Sequence, residues 1–288
     1  MTRRPSMPSQ VKLELRKEAG FGCCKCGLPI YQYHHIIPFE REEHFRAEDM
    51  MILCPNDHAA ATEGALTELE QRNYKNQPFN IARGYAAGQL KSNQTFAAIS
   101  LGSNQFVGDG CLIKIDGEEI LKLALDSNSQ LLLTVKLYGQ NNSLLAHIEN
   151  NEWISGDPLP WDIESSFQRL TIRSRKKDIA LSVNLHAIPA QLRASLWKNG
   201  QTVELSPDKI LVDGIVVKNV QFMGLCFVGL NFELDSRQKT FAIVPDSRFG
   251  QGCIVVEGTN LAERIEIARI RWLQLTGQYQ GTIDGKTV

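Results

Sequence analysis

The hydrophobic and polar positions of this chain follow two different patterns, and the second replaces the first at about residue 95. Before that point, apolar residues recur at helical spacing and predict a helix over residues 9–19. Thr67 and Glu70 form a capping box, which predicts a second helix from there to about residue 75. Between these two helices the sequence is rich in cysteine and histidine rather than periodic.

After residue 95 the pattern is typical of β-strands. Short runs rich in Ile, Leu, Val and Phe alternate with turn sequences every ~8–12 residues, which predicts an all-β sandwich or barrel. A parallel β-helix is the alternative, because several runs look equivalent although no strict period emerges. Near the end, Asn260 and Glu263 predict the start of a helix whose apolar stripe runs over residues 261–275.

These patterns predict an α+β chain of two domains. With 288 residues and 43% hydrophobic content, the chain can bury a sizeable core, and single cores usually stop growing near this size. We predict a small N-terminal domain over residues 1–77, a linker over 78–94, and a larger, mostly antiparallel β domain with a C-terminal helix over 95–288. Residues 151–161 (NEWISGDPLPW) are predicted to form a proline-bearing corner rather than a strand.

Charge and hydropathy bear on which partners and which cellular compartment we expect for the protein. The net charge is −1, so a nucleic-acid surface would have to be a local patch. No run of about 18 apolar residues occurs, and the basic start lacks the apolar core of a signal peptide, so we expect a cytoplasmic protein without a membrane partner. Cys111, Cys226 and Cys253 lie in apolar runs, as reduced thiols in a reducing compartment do.

The candidate chemistry is concentrated in residues 21–64, which hold four of the seven cysteines and four of the six histidines. Cys23 and Cys26 have the C-x-x-C spacing that lets two thiolates bind one tetrahedral zinc ion. Cys54 and Asp57 repeat that spacing with a carboxylate in place of the fourth sulfur, a ligand that zinc also accepts. We therefore predict a structural Zn²⁺ site made of these four side chains.

A histidine pair lies between the two halves of this predicted site. His34-His35 is followed by Ile36-Ile37-Pro38, and His58 comes directly after Asp57 in the run LCPNDH. Taken in order, these elements resemble the HNH nuclease family over about residues 10–75. In this family each of the two C-x-x-C turns that hold zinc is called a knuckle. Two positions depart from the family pattern. Asp49 stands where the family has its middle Asn, and Asp57 replaces the second Cys of the second knuckle.

The resemblance implies a zinc-stapled hairpin leading into a helix at about Pro55, the ββα-metal arrangement. It implies an endonuclease that hydrolyses phosphodiester bonds in DNA, with RNA not excluded, in a setting such as restriction or phage defence. His34 and His58 would then hold a catalytic divalent metal, Mg²⁺ or another ion. His35 would be the general base, which suits histidine because its ordinary pKa of about 6.5 leaves it mostly neutral at physiological pH. Asp49 would brace the loop.

A function of a different class remains open. The same residues could form a zinc-stabilised module without activity, an adaptor that binds a protein, nucleic-acid or carbohydrate partner. The β domain could then recognise a protein or a signal ligand in either case. We expect His44, in a charged loop, to be solvated rather than catalytic.

Two sets of basic residues are candidates for phosphate contacts. Arg16, Lys17 and Lys25 flank the first knuckle. A basic ribbon lies on one face of a predicted strand and consists of Arg169, Arg173, Arg175 and Lys177. The ribbon could follow a nucleic-acid backbone or hold an anionic messenger, but we favour a solvated hairpin edge that its charges protect from aggregation.

Overall fold

The computed structural model describes residues 5–214, 220–256, 258, 260–279, 282–283 and 286–287. The chain forms two compact units. Unit 1 consists of Met1–Leu90 and Glu152–Ile179, and unit 2 consists of Lys91–Asn151 and Ala180–Val288. The secondary structure is mixed α+β and mostly β.

The helices are α1 (Ser9–Glu18), α2 (Pro55–Thr62), α3 (Glu68–Asn76), α4 (Phe79–Arg83) and α5 (Leu261–Leu275), with a 3₁₀ turn at Ala47–Asp49. The strands are β1 (Gln32–His35), β2 (Met50–Leu53), β3 (Ala87–Gln89), β4 (Ala98–Leu101), β5 (Asn104–Val107), β6 (Gly110–Ile115), β7 (Glu118–Leu125), β8 (Leu131–Tyr138), β9 (Leu144–Glu149), β10 (Glu152–Ser155), β11 (Asp162–Ser165), β12 (Arg169–Arg175), β13 (Asp178–Asn184), β14 (Ala190–Lys198), β15 (Gln201–Leu205), β16 (Ile210–Gly214), β17 (Val220–Phe222), β18 (Cys226–Val228), β19 (Leu230–Asp235), β20 (Thr240–Pro245), β21 (Cys253–Val255), β22 (Thr282–Ile283) and β23 (Lys286–Thr287).

Unit 1 begins with the elements that carry the cysteine and histidine residues. β1 and β2 form an antiparallel hairpin in which His35 lies opposite Met50, and α2 follows it directly. All four residues of β2 are buried, and Leu15 of α1 belongs to the same small core. The predicted helix start at residue 67 is confirmed, because the Thr67 hydroxyl accepts from the Glu70 amide while the Glu70 carboxylate accepts from the Thr67 amide.

The division of the chain differs from the predicted one in two places. Residues 78–94, predicted to be a linker, contain α4 and β3, and those up to Leu90 belong to unit 1. Residues 152–179 also belong to unit 1, although we had assigned them to the β domain. The predicted corner at 151–161 begins with a strand, β10, which pairs with β3. Pairing between residues so far apart in sequence leaves no local signal.

The described residues of unit 2 form two large arrays of strands and the short pair β22-β23. One has the order β20-β19-β6-β7-β8-β9, and the other has the order β13-β14-β4-β5-β18-β21, with β15 joined to β14 and followed by β16 and β17. Most pairs are antiparallel, as predicted, and the parallel ones are β14 with β4, β18 with β5 and β19 with β6. The ring of Phe232 in the first array contacts those of Phe106 and Phe227 in the second. Within the described ranges no barrel closes.

The predicted C-terminal helix is confirmed as α5. The Asn260 side chain accepts a hydrogen bond from the amide of Glu263 at 3.0 Å, which caps the first turn. The buried residues Ala268 and Trp272 pack against the second array. Among the described residues, no helix has both the length and the apolar character needed to span a bilayer.

Candidate metal centre and histidine cleft

The predicted zinc ligands lie together in unit 1. The potential ligand atoms of Cys23, Cys26, Cys54 and Asp57 all lie within 4.8 Å of one another. Asp57 Oδ2 is 3.3 Å from the Cys23 sulfur and 3.2 Å from the Cys54 sulfur. In the described part of the chain this is the one group of three or more His, Cys, Asp or Glu side chains with such spacing.

The donor set fits a zinc ion. Zn–S bonds of about 2.3 Å and Zn–O bonds of about 2.0–2.2 Å in a tetrahedron place the ligand atoms about 3.5–3.8 Å apart. The four side chains are therefore close enough to share one ion with small adjustments. The Lys25 ammonium contacts the other carboxylate oxygen of Asp57 at 2.9 Å, so Asp57 is oriented from both sides. Cys24, adjacent in sequence, is buried outside the cluster, and burial raises the pKa of its thiol to about 11.

The first knuckle is held in shape by a residue that the sequence did not indicate. Asn80 of α4 is fully buried, and its amide group donates to the carbonyls of Gly20 and Gly27 at 2.9 and 3.1 Å. Both glycines have positive φ, and a Cβ on Gly27 would lie 2.4 Å from the Asn80 oxygen. The turn around Cys23 and Cys26 therefore depends on a helix in the segment that was predicted to be a linker.

His34 is directed toward His58 and α3. Its Nε2 lies 3.0 Å from Gln71 Oε1. Since the Gln71 amide nitrogen donates to the Leu66 carbonyl, the Gln71 oxygen faces His34 and accepts a hydrogen bond from its Nε2–H. The His34 and His58 rings meet edge to face with centroids 5.0 Å apart. Burial, reinforced by His58, lowers the pKa of His34 to about 4, and burial also lowers the pKa of His58. Both imidazoles are therefore neutral at pH 7, the form that binds metals.

His35 has a different set of neighbours. Its Nε2 lies 3.2 Å from the His44 carbonyl oxygen. Since a carbonyl only accepts, Nε2 carries the proton in this contact, and Nδ1 is the basic nitrogen of the neutral ring. The ring also contacts those of Phe39, His44 and Phe45. These contacts restrict the orientation of the His35 imidazole.

The expectation that His44 is solvated was wrong. Its side chain is buried, its Nε2 donates to the Ile37 carbonyl at 3.1 Å, and its Nδ1 accepts from the Arg46 amide at 3.2 Å. Both ring nitrogens are used to close the loop, and this closure positions the carbonyl that contacts His35. A charged sequence around a histidine gives no signal for such a role.

Asp49 braces the same loop through charge. Its carboxylate accepts from Arg46 at 2.8 Å and from Arg72 at 3.1 Å, and hydrogen bonding to Arg46 lowers its pKa. Its main-chain carbonyl accepts from the Ile36 amide at 2.9 Å. The side chain therefore braces the loop by pairing with two arginines.

The three histidines named as candidate site residues line one cleft. The cleft has a volume of about 640 Å³, and His34, His35 and His58 lie on its wall with Gln71. Arg41 also lines it. In the described part of unit 1 the structure thus brings the predicted base and the two predicted metal ligands to the same surface, with Asp49 bracing the adjacent loop.

The basic residues singled out in the sequence are largely paired within unit 1. Arg16 is buried and donates to Asp162 at 2.8 Å, and Lys25 contacts Asp57. In the ribbon, Arg173 bonds to Asp162 and Glu164. The interpretation of the ribbon as an edge was wrong, because β12 lies between β11 and β13 in the sheet order. β12 buries Leu170 and Ile172 on one face, so the ribbon is the polar face of a strand that is paired on both sides.

Comparison of the chain with protein-family models, with curated proteins and with solved structures finds no match.

Proposed function

We propose that unit 1 is a metal-dependent endonuclease of the HNH type that hydrolyses phosphodiester bonds in DNA. The observation that supports this most is that His34, His35 and His58 line one cleft. His58 directly follows Asp57 of the cysteine and aspartate cluster. A purely structural zinc module has no use for three histidines on an open cleft, two of which have pKa values lowered by burial that is nearly complete for His34 and partial for His58.

His35 is the general base in this proposal. Its Nε2–H donates to the His44 carbonyl, so Nδ1 takes the proton from the attacking water. The His44 ring, bonded through both nitrogens, keeps that carbonyl in place. A neutral imidazole held in one orientation is what water activation needs.

His34 and His58 would hold the catalytic metal, whose chemistry is to supply positive charge beside the scissile phosphate. Their centroid separation of 5.0 Å suits two imidazoles that share one ion. Arg41 is the one lysine or arginine among the described residues that line the cleft, so the metal would carry most of the charge. Imidazole ligands without a carboxylate favour zinc, nickel or cobalt over Mg²⁺.

The test uses the full chain and supercoiled plasmid. EDTA treatment should abolish nicking, and adding back Mn²⁺, Co²⁺ or Ni²⁺ should restore it better than Mg²⁺ does. His58→Ala should lower the metal-dependent rate at least tenfold, whereas the matched control His186→Ala in unit 2 should not change it. A wild-type protein that carries zinc but cuts neither DNA nor RNA with any of these metals would overturn the proposal in favour of the adaptor function.

For unit 2 we infer a β-sandwich that serves recognition or regulation. The contact of Phe232 with Phe106 and Phe227 joins the two arrays of strands, which supports this architecture. The partner would be a protein or a small ligand.

A further inference from the structure

Polar side chains form a continuous row across the second array of unit 2. The strand register places Asn184 opposite Gln191, Gln191 opposite Ser100, and Ser100 opposite Gln105. Residues directly opposite one another in neighbouring strands project from the same face of a sheet. One face of β13, β14, β4 and β5 therefore carries four hydrogen-bonding side chains in line, one from each strand.

This row lies on the wall of a cleft of about 530 Å³. Arg193 of β14 and Arg264 of α5 line the same cleft, together with several serine side chains. No aspartate or glutamate lines it among the residues that the structure describes. Although the chain as a whole has a net charge of −1, this cleft presents two guanidinium groups with no carboxylate on its wall.

Two buried atoms on this wall have no hydrogen-bond partner in the described residues. Gln105 is 3% exposed, and its amide nitrogen donates to the Ser103 carbonyl, but its Oε1 is unpaired. Arg264 donates through one terminal nitrogen to the Gly224 carbonyl at 2.8 Å, but its Nε is unpaired. Buried polar groups in native proteins nearly always have partners. One unpaired acceptor and one unpaired donor in the same cleft indicate a ligand that carries both a hydroxyl or amino hydrogen and an acceptor oxygen.

We propose that this cleft binds a small phosphate monoester whose carbon skeleton carries hydroxyl groups. The phosphate pairs with Arg193 and with the Nε–H of Arg264, and a ligand hydroxyl donates to Gln105 Oε1. The remaining amides and serines of the wall have the donors and acceptors that a sugar needs. The volume is in the range of small-molecule sites, about 300–1,000 Å³. Nucleoside monophosphates and sugar phosphates share this chemistry.

The experiment is isothermal titration calorimetry of the full chain with adenosine 5′-monophosphate, ribose 5-phosphate, adenosine and inorganic phosphate. We expect at least one of the two esters to bind more tightly than both adenosine and inorganic phosphate. Arg193→Gln should weaken that binding about tenfold or more, because it removes a charge-assisted contact. Arg193 is exposed on its strand, so this variant should fold normally, which circular dichroism can verify. Arg237→Gln, an exposed arginine in the turn after β19, makes the same charge change outside the cleft and should leave binding unchanged.

The outcomes distinguish sugar phosphates from nucleoside monophosphates as the class of ligand. Equal binding of both esters assigns the site to sugar phosphates, and preference for adenosine monophosphate means that the amides also contact the base. The proposal is overturned if neither ester binds with a dissociation constant below about 1 mM, a free energy of about −4.1 kcal/mol. It is also overturned if Arg193→Gln has no effect, or if inorganic phosphate binds as tightly as the esters. Because binding is measured directly, this test is independent of nuclease activity.

Discussion

A buried ion pair in unit 1 gives a prediction whose size follows from its geometry. The Asp162 side chain is 2% exposed and accepts two hydrogen bonds from Arg16, at 2.8 and 2.9 Å. Arg173 donates to the same carboxylate at 2.9 Å. Asp162→Asn keeps the shape of the side chain but removes the negative charge between two guanidinium groups.

The expected loss of unfolding free energy is about 3 kcal/mol. Removing one partner of a buried ion pair typically costs about 3–5 kcal/mol, because the other charge stays buried without compensation. The lower end applies here, since Glu164 lies 3.5 Å from Arg16 and 2.7 Å from Arg173 and still offsets part of their charge. Urea unfolding followed by tryptophan fluorescence measures the change, because Trp153 and Trp161 are both in unit 1.

The matched control is Asp178→Asn. Asp178 pairs with Arg175 at 3.1 Å, but both side chains are largely exposed, so this pair should contribute less than about 1 kcal/mol. If Asp162→Asn costs no more than this control, the ion pair does not stabilise the unit as we argue.

The same ion pair affects the stability of any isolated N-terminal fragment. A fragment that ends near residue 91 lacks Asp162 and leaves Arg16 without its buried partner.

Cys26→Ser should reduce the bound zinc from one ion per chain to substoichiometric levels, because it removes one of four ligands. Thr67→Ala should cost about 1 kcal/mol by removing the cap of α3. Glu118→Gln should destabilise unit 2 by about 1–2 kcal/mol at pH 7. Burial by itself would raise the pKa of the Glu118 carboxyl, but hydrogen bonds from Lys136 and Lys198 outweigh it and lower this pKa to about 2. Its stabilisation is therefore present above the ordinary value of 4.5 and is lost as the pH falls from there toward 2.

Each of these predictions has a direct measurement and a contrary result. Atomic absorption on the purified Cys26→Ser protein should show less zinc than the Cys111→Ser control, and equal zinc in both would remove Cys26 from the site. Thermal unfolding of Thr67→Ala without a shift would mean that the cap does not stabilise α3. Acid titration of Glu118→Gln should show a weaker loss of stability between about pH 4.5 and 2 than the wild type, and parallel curves would contradict the assigned pKa.

The elements that local sequence determines were predictable. Helix α1 lies where its apolar spacing predicts it, and α3 and α5 start after the caps Thr67 and Asn260, because capping and helical periodicity act within a few residues. The C-x-x-C and C-x-x-D spacings predicted the four side chains that the structure brings together. Both predictions rest on spacings of a few residues, although the two pairs of ligands then meet across 34 positions of the chain.

The parts that were missed depend on contacts between distant residues. Asn80 supports the first knuckle from more than fifty positions away, and Asp162 joins α1 from 146 positions away, so no periodic pattern marks either. The polar row that includes Gln105 exists only because β4 pairs in parallel with β14. His44 was misjudged because its charged neighbours suggested solvent, whereas its ring nitrogens bond to the backbone.

The central claim is that His35 activates water in the histidine cleft. The most direct measurement is the single-turnover rate of DNA cleavage by His35→Ala, with zinc content and circular dichroism measured on the same sample. Loss of a general base typically lowers the rate about 10²–10⁴-fold, and we predict a loss in that range with zinc and fold unchanged. A folded, zinc-loaded His35→Ala protein that cleaves within about threefold of the wild-type rate, far less than loss of a general base costs, would contradict the account.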